Sequence, residues 1–211
     1  MSDNIHRGGP VLAAGTPLEQ AHGALIMVHG RGASAESILT LAPELDTPGI
    51  AFLAPQANGG TWYPFSFMAP LAQNEPFLTS ALATVGDLVA YVEQSGIPVE
   101  RIALLGFSQG ACLASEFAAR NPRRYGGLIA FSGGLIGPPG TPRDYPGSLD
   151  GTPVFLGCSD VDAHIPKERV LETEEALRNL GAAVTAKLYP GMGHTVNEDE
   201  IEHARAILAA I

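Results

Sequence analysis

A short motif in the middle of the chain could supply a nucleophile. Gly106-Phe107-Ser108-Gln109-Gly110 matches the pattern G-x-S-x-G, directly after an apolar run and directly before a segment of small residues. A serine at so tight a strand-to-helix turn needs glycine two residues away on either side, because larger side chains would collide there. The alternative is an ordinary glycine-bounded turn. The context favours the first interpretation and makes Ser108 the candidate nucleophile.

A serine hydroxyl also needs a base within hydrogen-bond reach, and a carboxylate must hold that base in the right tautomer. His194 lies in a glycine-containing loop between the last predicted strand and the last predicted helix, from where an imidazole can reach toward Ser108. The remaining histidines fit less well, because they lie near the N-terminus, at a strand end, on a helix or beside the acidic loop: His6, His22, His29, His203 and His164. His194 is therefore the candidate base.

The carboxylate is expected on the loop after the strand predicted at 153–158, where two aspartates compete. Asp162 is followed by Pro166, which can open a helix, so the Asp162 side chain can stay in the loop and accept a hydrogen bond from His194. Asp160 can instead cap or turn the local backbone. Periodicity does not choose between them.

Negative charge that develops on a substrate oxygen needs preorganised hydrogen-bond donors. The backbone N–H of Gln109, at the start of the helix behind the serine, is one candidate. The backbone N–H of Arg31, in the loop after the first long strand, is the other, because Gly30 and Gly32 permit close approach of the backbone. The Arg31 side chain need not take part.

The loop at 61–68 is rich in aromatic and other apolar side chains, including Trp62, Tyr63 and Phe65. These three residues are candidates for the wall of a substrate pocket. The alternative is that they only pack the loop onto the protein. No His, Cys or carboxylate pair has metal-ligand spacing, so neither a metal nor a cofactor is expected.

The elements that must position these residues follow an alternating pattern. Nearly continuous apolar runs, typical of strands buried on both faces, occur at 24–29, 50–55, 101–107, 127–132 and 153–158, with a sixth at 184–189 and a weaker antiparallel edge strand at 11–15. Helices are predicted at 34–45, 75–95, 108–120, 167–180 and 198–210, the longest from an apolar stripe of three- and four-residue spacing. The loops at 56–73 and 136–152 are unusually long. The pattern predicts one α/β domain over 1–211, with a mostly parallel sheet flanked by helices.

Composition limits the class of protein. The 211 residues include 12 basic and 22 acidic ones, a net charge of -10 that disfavours binding to nucleic acid or to an anionic membrane surface. Two cysteines in apolar runs, Cys112 and Cys158, indicate buried thiols in a reducing compartment. Residues 1–10 lack the pattern of a signal peptide, and no apolar stretch is long enough for a membrane span. A cytoplasmic location is predicted; a homodimer is compatible with the sequence but not predicted by it.

Taken together, the segments VHGRGAS, GFSQGA, DAHIP and GMGHTV resemble the phospholipase/carboxylesterase family of compact α/β-hydrolases, over nearly the whole chain and in the right order. The resemblance implies an α/β-hydrolase fold without a separate lid domain. It also implies Ser108 as nucleophile, Asp162 as acid and His194 as base, with the amides of Arg31 and Gln109 as the oxyanion hole. Gly157-Cys158-Ser159 and Arg31 itself depart from the usual family pattern.

The predicted function is that of a serine carboxylesterase that hydrolyses small to medium, uncharged esters through an acyl-enzyme on Ser108. The net charge of -10 is the reason for expecting uncharged substrates. Within the same family, lysophospholipase and acyl thioesterase activities stay open. Acyl transfer to an acceptor other than water and a catalytically silent ligand-binding protein are further alternatives.

Overall fold

A computed structural model describes residues 5–45 and 47–211, in which seven strands form one sheet. The strands are β1 (Val11–Gly15), β2 (Gly23–Val28), β3 (Ile50–Pro55), β4 (Ile102–Phe107), β5 (Gly127–Phe131), β6 (Pro153–Ser159) and β7 (Ala183–Tyr189). Their order is β1-β3-β2-β4-β5-β6-β7; β1 is antiparallel to β3, and every other neighbouring pair is parallel. The predicted mostly parallel sheet, including its antiparallel edge strand and its sixth parallel strand, is confirmed.

Helices cover both faces of the sheet. They are α1 (Ala35–Leu39), α2 (Ala42–Leu45), α3 (Leu71–Asn74), α4 (Phe77–Gln94), α5 (Gln109–Arg120), α6 (Lys167–Asn179) and α7 (Glu198–Leu208). One apolar core joins α4, α5 and α6 to the sheet, and a second core on the other face joins α1, α2 and α7. Because both faces are covered, β2, β3 and β5 are buried along their whole length and β4 at all but its last residue, which explains their apolar sequences.

The predicted helix at 34–45 is wrong in one respect, because it is two short helices, α1 and α2, separated by a turn at Thr40 and Leu41. Pro43 explains the break: a proline inside a continuous helix would lose one backbone hydrogen bond and clash with the preceding turn. In the structure Pro43 lies near the start of α2 instead. The other four predicted helices are present, with ends that differ by one or two residues.

The two long loops differ in content. The loop after β3 contains a short 3-10 turn at Asn58–Gly60 and α3, whereas residues 136–152 form neither helix nor strand. The buried Asn74 amide accepts a hydrogen bond from the N–H of Phe65 at 2.9 Å and donates one to the carbonyl of Ser66 at 3.0 Å. The buried Asn74 side chain therefore fixes the backbone of the loop that carries the predicted aromatic residues. Within the described residues, no helix is long and apolar enough to cross a membrane.

Candidate active site

Ser108 lies at a sharp turn between β4 and α5. Its backbone has φ 55° and ψ -120°, a strained combination for a residue with a side chain. A Cβ atom added to Gly106 would lie 2.3 Å from the carbonyl carbon of Gly110, and one added to Gly110 would lie 2.0 Å from the carbonyl oxygen of Val28. Neither glycine tolerates a side chain, so the close approach predicted from the motif is present and holds Ser108 at the carboxyl edge of the sheet.

Asp162 and His194 come from different loops and meet beside Ser108. The Nδ1 atom of His194 lies 2.7 Å from Oδ2 of Asp162, whose side chain is fully buried. The other carboxylate oxygen accepts hydrogen bonds from the backbone N–H of His164 at 2.8 Å and of Ile165 at 3.0 Å. Burial alone would raise the pKa of Asp162, but the hydrogen bonds from His194 and from the two amides outweigh it, so its pKa lies below the ordinary value. The carboxylate is therefore ionised at neutral pH and orients the imidazole through Nδ1.

Asp160 occupies a different position in the same loop. Its Oδ1 accepts a hydrogen bond from the backbone N–H of Gly191 at 2.8 Å, and its own N–H donates to the carbonyl of Tyr189 at 3.1 Å. Asp160 therefore links its loop to the loop that carries His194. Of the two competing aspartates, Asp162 contacts the imidazole and Asp160 braces the backbone.

The imidazole of His194 packs against two other rings. Its centroid lies 4.9 Å from the ring of Phe107 and 4.8 Å from the ring of His164, which meets it edge-on. Ser108 and His194 line the same cavity, although no hydrogen bond joins the serine hydroxyl to the imidazole in the described part of the chain. Such bonds are often long in an enzyme without substrate and shorten when substrate binds.

The two amides predicted to form an oxyanion hole are both free to donate. Within residues 5–45 and 47–211, neither the backbone N–H of Arg31 nor that of Gln109 has a hydrogen-bond acceptor, and both residues line the cavity with Ser108. The neighbouring amides of Gly32 and Ala33 are used, by the carbonyls of Gly60 and Gly30. Unpaired backbone donors are uncommon, and two at one cavity are suited to bind an oxyanion.

The side chains of Arg31 and Gln109 have a second role that the sequence analysis missed. The Gln109 amide accepts from the N–H of Trp62 at 3.0 Å and donates to the carbonyl of Tyr63 at 2.9 Å. The Arg31 guanidinium donates to the carbonyls of Pro64 at 2.9 Å and Phe65 at 2.6 Å. The aromatic loop, residues 61–68, is therefore held by the same two lining residues whose backbone N–H groups have no acceptor in the described parts of the chain. Nothing in the spacing of the sequence indicates these contacts, because they join residues 33 to 47 positions apart.

Tyr63 and Phe65 line the cavity as predicted for a pocket wall, but Trp62 does not. The Trp62 side chain is fully buried, donates its indole N–H to the carbonyl of His29 at 2.9 Å and packs against the His29 ring. The prediction that Trp62 contributes to the wall is therefore corrected: Trp62 supports the loop from beneath. Phe67 and Phe107, which the prediction omitted, supply further apolar wall.

The cavity has a volume of about 500 Å³, within the range of small-molecule sites. Cys112 also reaches its lining, but burial raises the pKa of its thiol to about 12, so the thiol stays protonated and does not compete with Ser108 as a nucleophile. Within residues 5–45 and 47–211, the lining contains no Asp or Glu residue, in contrast to the acidic chain as a whole. The net charge of the chain therefore no longer supports the prediction of uncharged substrates.

Comparison with known proteins agrees with this architecture. Residues 13–211 match the model of a family described as Phospholipase/Carboxylesterase. The crystal structure of a phospholipase/carboxylesterase from Dyadobacter fermentans is 45% identical, with a TM-score of 0.92 over 96% of this chain and 97% of that one. A Bacillus cereus carboxylesterase has the same fold at 19% identity, with a TM-score of 0.76 over 97% of this chain and 96% of that one.

Curated relatives give similar names at lower identity. Acyl-protein thioesterase 1 of Saccharomyces cerevisiae is 26% identical over 90% of this chain and 93% of its own length. Acyl-protein thioesterase 1 of Gibberella zeae is 34% identical, but over only 58% of this chain. The match covers about half of the length of the Gibberella zeae protein, namely 53% of its residues.

Proposed function

This chain belongs to the phospholipase/carboxylesterase family of α/β-hydrolases, as its motifs predicted, and on that premise we propose that it is a serine carboxylesterase acting through an acyl-enzyme on Ser108. The observation that carries the proposal is the hydrogen bond between His194 and the buried Asp162, on the same cavity as the strained Ser108. A histidine held by a buried carboxylate beside a strained serine is the arrangement that activates a serine nucleophile.

The first half of the proposed reaction makes the acyl-enzyme. The ester carbonyl lies against the free amides of Arg31 and Gln109, and Ser108 Oγ attacks its carbon while Nε2 of His194 accepts the hydroxyl proton. The two amides stabilise the oxyanion that forms, and Asp162 stabilises the imidazolium. The intermediate collapses when His194 returns the proton to the leaving alcohol, which departs and leaves the acyl group on Ser108.

The second half removes the acyl group. Water enters the position that the alcohol vacated, His194 accepts one of its protons, and the hydroxide attacks the acyl carbon. Collapse of the second tetrahedral intermediate returns that proton to Ser108 Oγ and releases the carboxylic acid. Every proton transfer in this scheme uses Nε2 of His194, because Nδ1 stays bonded to Asp162.

The proposed substrates are small to medium carboxylic esters. A cavity of about 500 Å³ with Phe65, Phe67 and Phe107 in its wall suits a compact acyl or alcohol group. The predicted restriction to small and medium esters is retained in this proposal. The predicted restriction to uncharged esters is not retained. We also propose a cytoplasmic location, supported by two cysteines that are both buried and free.

A thioesterase is the second candidate, favoured by the relatives named acyl-protein thioesterase. Esters and thioesters pass through the same tetrahedral intermediate, so the triad alone does not separate the two activities. Matched oxygen and sulfur esters of one short acyl group distinguish them: the carboxylesterase proposal expects turnover of the oxygen ester, and hydrolysis of the thioester alone would replace it with the second candidate.

Active-site labelling tests the mechanism against a catalytically silent protein. A fluorophosphonate probe should label the wild-type chain on Ser108, identified by peptide mass spectrometry, and should fail to label Ser108→Ala. Asp162→Asn should be labelled slowly although Ser108 is intact. Absence of labelling in the folded wild-type protein would contradict the proposal, and product analysis with added alcohol would show whether acyl transfer competes with hydrolysis.

A further inference from the structure

The charge of the cavity differs in sign from the charge of the chain. The chain carries 22 acidic and 12 basic residues, whereas the cavity lining, in the part of the chain that the structure describes, includes Arg31, His164 and His194 and no acidic residue. Two buried carboxylates, those of Asp162 and Glu116, are bonded to protein partners and are not part of this lining. Asp162 is fully buried behind His194, and the side chain of Glu116, only 2% exposed, is bonded to Arg120 and to the N–H of Ile136.

Among the described residues, Arg31 is the one Lys or Arg of this lining, and no carboxylate pairs with it. Eight of the other eleven Lys and Arg residues form ion pairs, whereas Arg31 forms none in the described parts of the chain. Its contacts are the neutral carbonyls of Pro64 and Phe65 and the ring of Tyr63, whose centroid lies 5.9 Å from the guanidinium carbon. The positive charge therefore remains available to a ligand.

The same contacts hold the guanidinium in place. Two of its five N–H donors bind the loop carbonyls, and three remain without a protein acceptor in residues 5–45 and 47–211. A planar guanidinium fixed in this way loses little conformational freedom when it binds a carboxylate. The backbone N–H of the same residue is a proposed oxyanion donor, so the guanidinium lies within one side-chain length of the reacting carbonyl.

We infer that the natural ester of this enzyme carries a carboxylate close to the reacting carbonyl and that the Arg31 side chain binds this carboxylate. The inference rests on the proposed esterase function and names the substrate class of that site. Small half-esters of dicarboxylic acids, or esters of short hydroxy acids, have the required chemistry. His164, exposed and part of the same lining, packs edge-on against the His194 ring and supplies a second polar group to the cavity.

Matched pairs of esters test this inference. In the first pair, monoethyl succinate has a carboxylate where ethyl isocaproate has an isopropyl group of the same shape. In the second pair, β-acetoxypropionate and isopentyl acetate differ in the same way on the alcohol side. Acid release at neutral pH gives kcat/KM for all four, with p-nitrophenyl acetate as a common reference.

The expected result is that, in at least one pair, the charged ester has a kcat/KM about tenfold or more above its neutral partner, since hydrogen bonds to charged groups are the stronger ones. Added salt should reduce this ratio, because it screens an exposed charge pair. Equal or faster turnover of the neutral partner in both pairs would overturn the inference. If the reference ester is turned over in that case, the proposed function stands; if no ester is turned over, the proposed function fails with it.

Substitution of Arg31 gives a second readout. Arg31→Gln should reduce the charged-to-neutral ratio to near one, and Arg31→Lys should keep part of it because it keeps the charge. A purely structural role in holding the aromatic loop would lower both rates together and leave the ratio unchanged. An unchanged ratio in Arg31→Gln would therefore refute the binding role.

Discussion

Asparagine at position 162 should put the proton of the neutral His194 imidazole on Nε2, the nitrogen that must accept the proton of Ser108. Oδ1 of Asp162 accepts two backbone N–H groups, and Oδ2 accepts the bond from His194 Nδ1. In Asp162→Asn the only oxygen must satisfy the two backbone donors, so the new NH₂ group faces Nδ1 and makes it an acceptor. The proton then resides on Nε2, and a protonated Nε2 cannot accept the proton of Ser108.

The magnitude follows from that change of tautomer. Loss of the correct tautomer in a serine triad costs about 10³ to 10⁴ in kcat, even when the geometry is kept. Asp160→Asn is the matched control, since an amide oxygen can still accept the N–H of Gly191, and its cost should stay under roughly tenfold. Both variants carry the same chemical change two residues apart in one loop.

The assay compares kcat on a p-nitrophenyl ester for wild type and both variants, with thermal unfolding to show that each is folded. A larger loss of kcat in Asp160→Asn than in Asp162→Asn would assign the orienting role to Asp160 and refute the reasoning. Equal losses would show that both aspartates act only through the loop.

Two further predictions concern stability. Burial raises the pKa of Glu200 to about 7, so the unfolded chain releases this proton at lower pH than the folded chain, and stability present below the ordinary pKa of 4.5 is lost as pH rises toward 7. In Glu200→Gln, the free energy of unfolding measured in urea should therefore fall by up to about 3 kcal/mol less between roughly pH 5 and pH 8 than in the wild type. The same dependence of the unfolding free energy on pH in both proteins would contradict this prediction. Trp62→Ala should destabilise by about 3–5 kcal/mol in urea unfolding, because loss of the buried indole leaves a cavity. Trp62→Phe should cost less and should keep the wild-type dependence of kcat/KM on acyl-chain length, measured over a series of p-nitrophenyl esters. A changed dependence in Trp62→Phe would place the indole in the pocket wall.

Local sequence signals predicted the parts of the molecule that depend on local physics. Buried parallel strands require apolar runs, and the tight turn at Ser108 requires Gly106 and Gly110, so both are visible in the sequence. The single helix predicted at 34–45 is wrong because the spacing of its apolar residues does not show the break that Pro43 imposes.

The long-range contacts around the candidate active site could not be predicted from local sequence signals. The bonds from Gln109 and Arg31 to the aromatic loop depend on how distant segments meet, and neither side chain has a local pattern that indicates them. The same applies to Trp62, whose type fits a pocket wall and a buried support equally well. The choice between Asp160 and Asp162 also depended on the family resemblance rather than on periodicity.

Removal of the Ser108 hydroxyl tests the central claim most directly. Ser108→Ala should lower kcat on any accepted ester by on the order of 10⁴ or more, because the acyl-enzyme route is lost and only the oxyanion hole and substrate binding remain. Circular dichroism and thermal unfolding should show the wild-type fold. Turnover near the wild-type rate in a folded Ser108→Ala protein would contradict the mechanism.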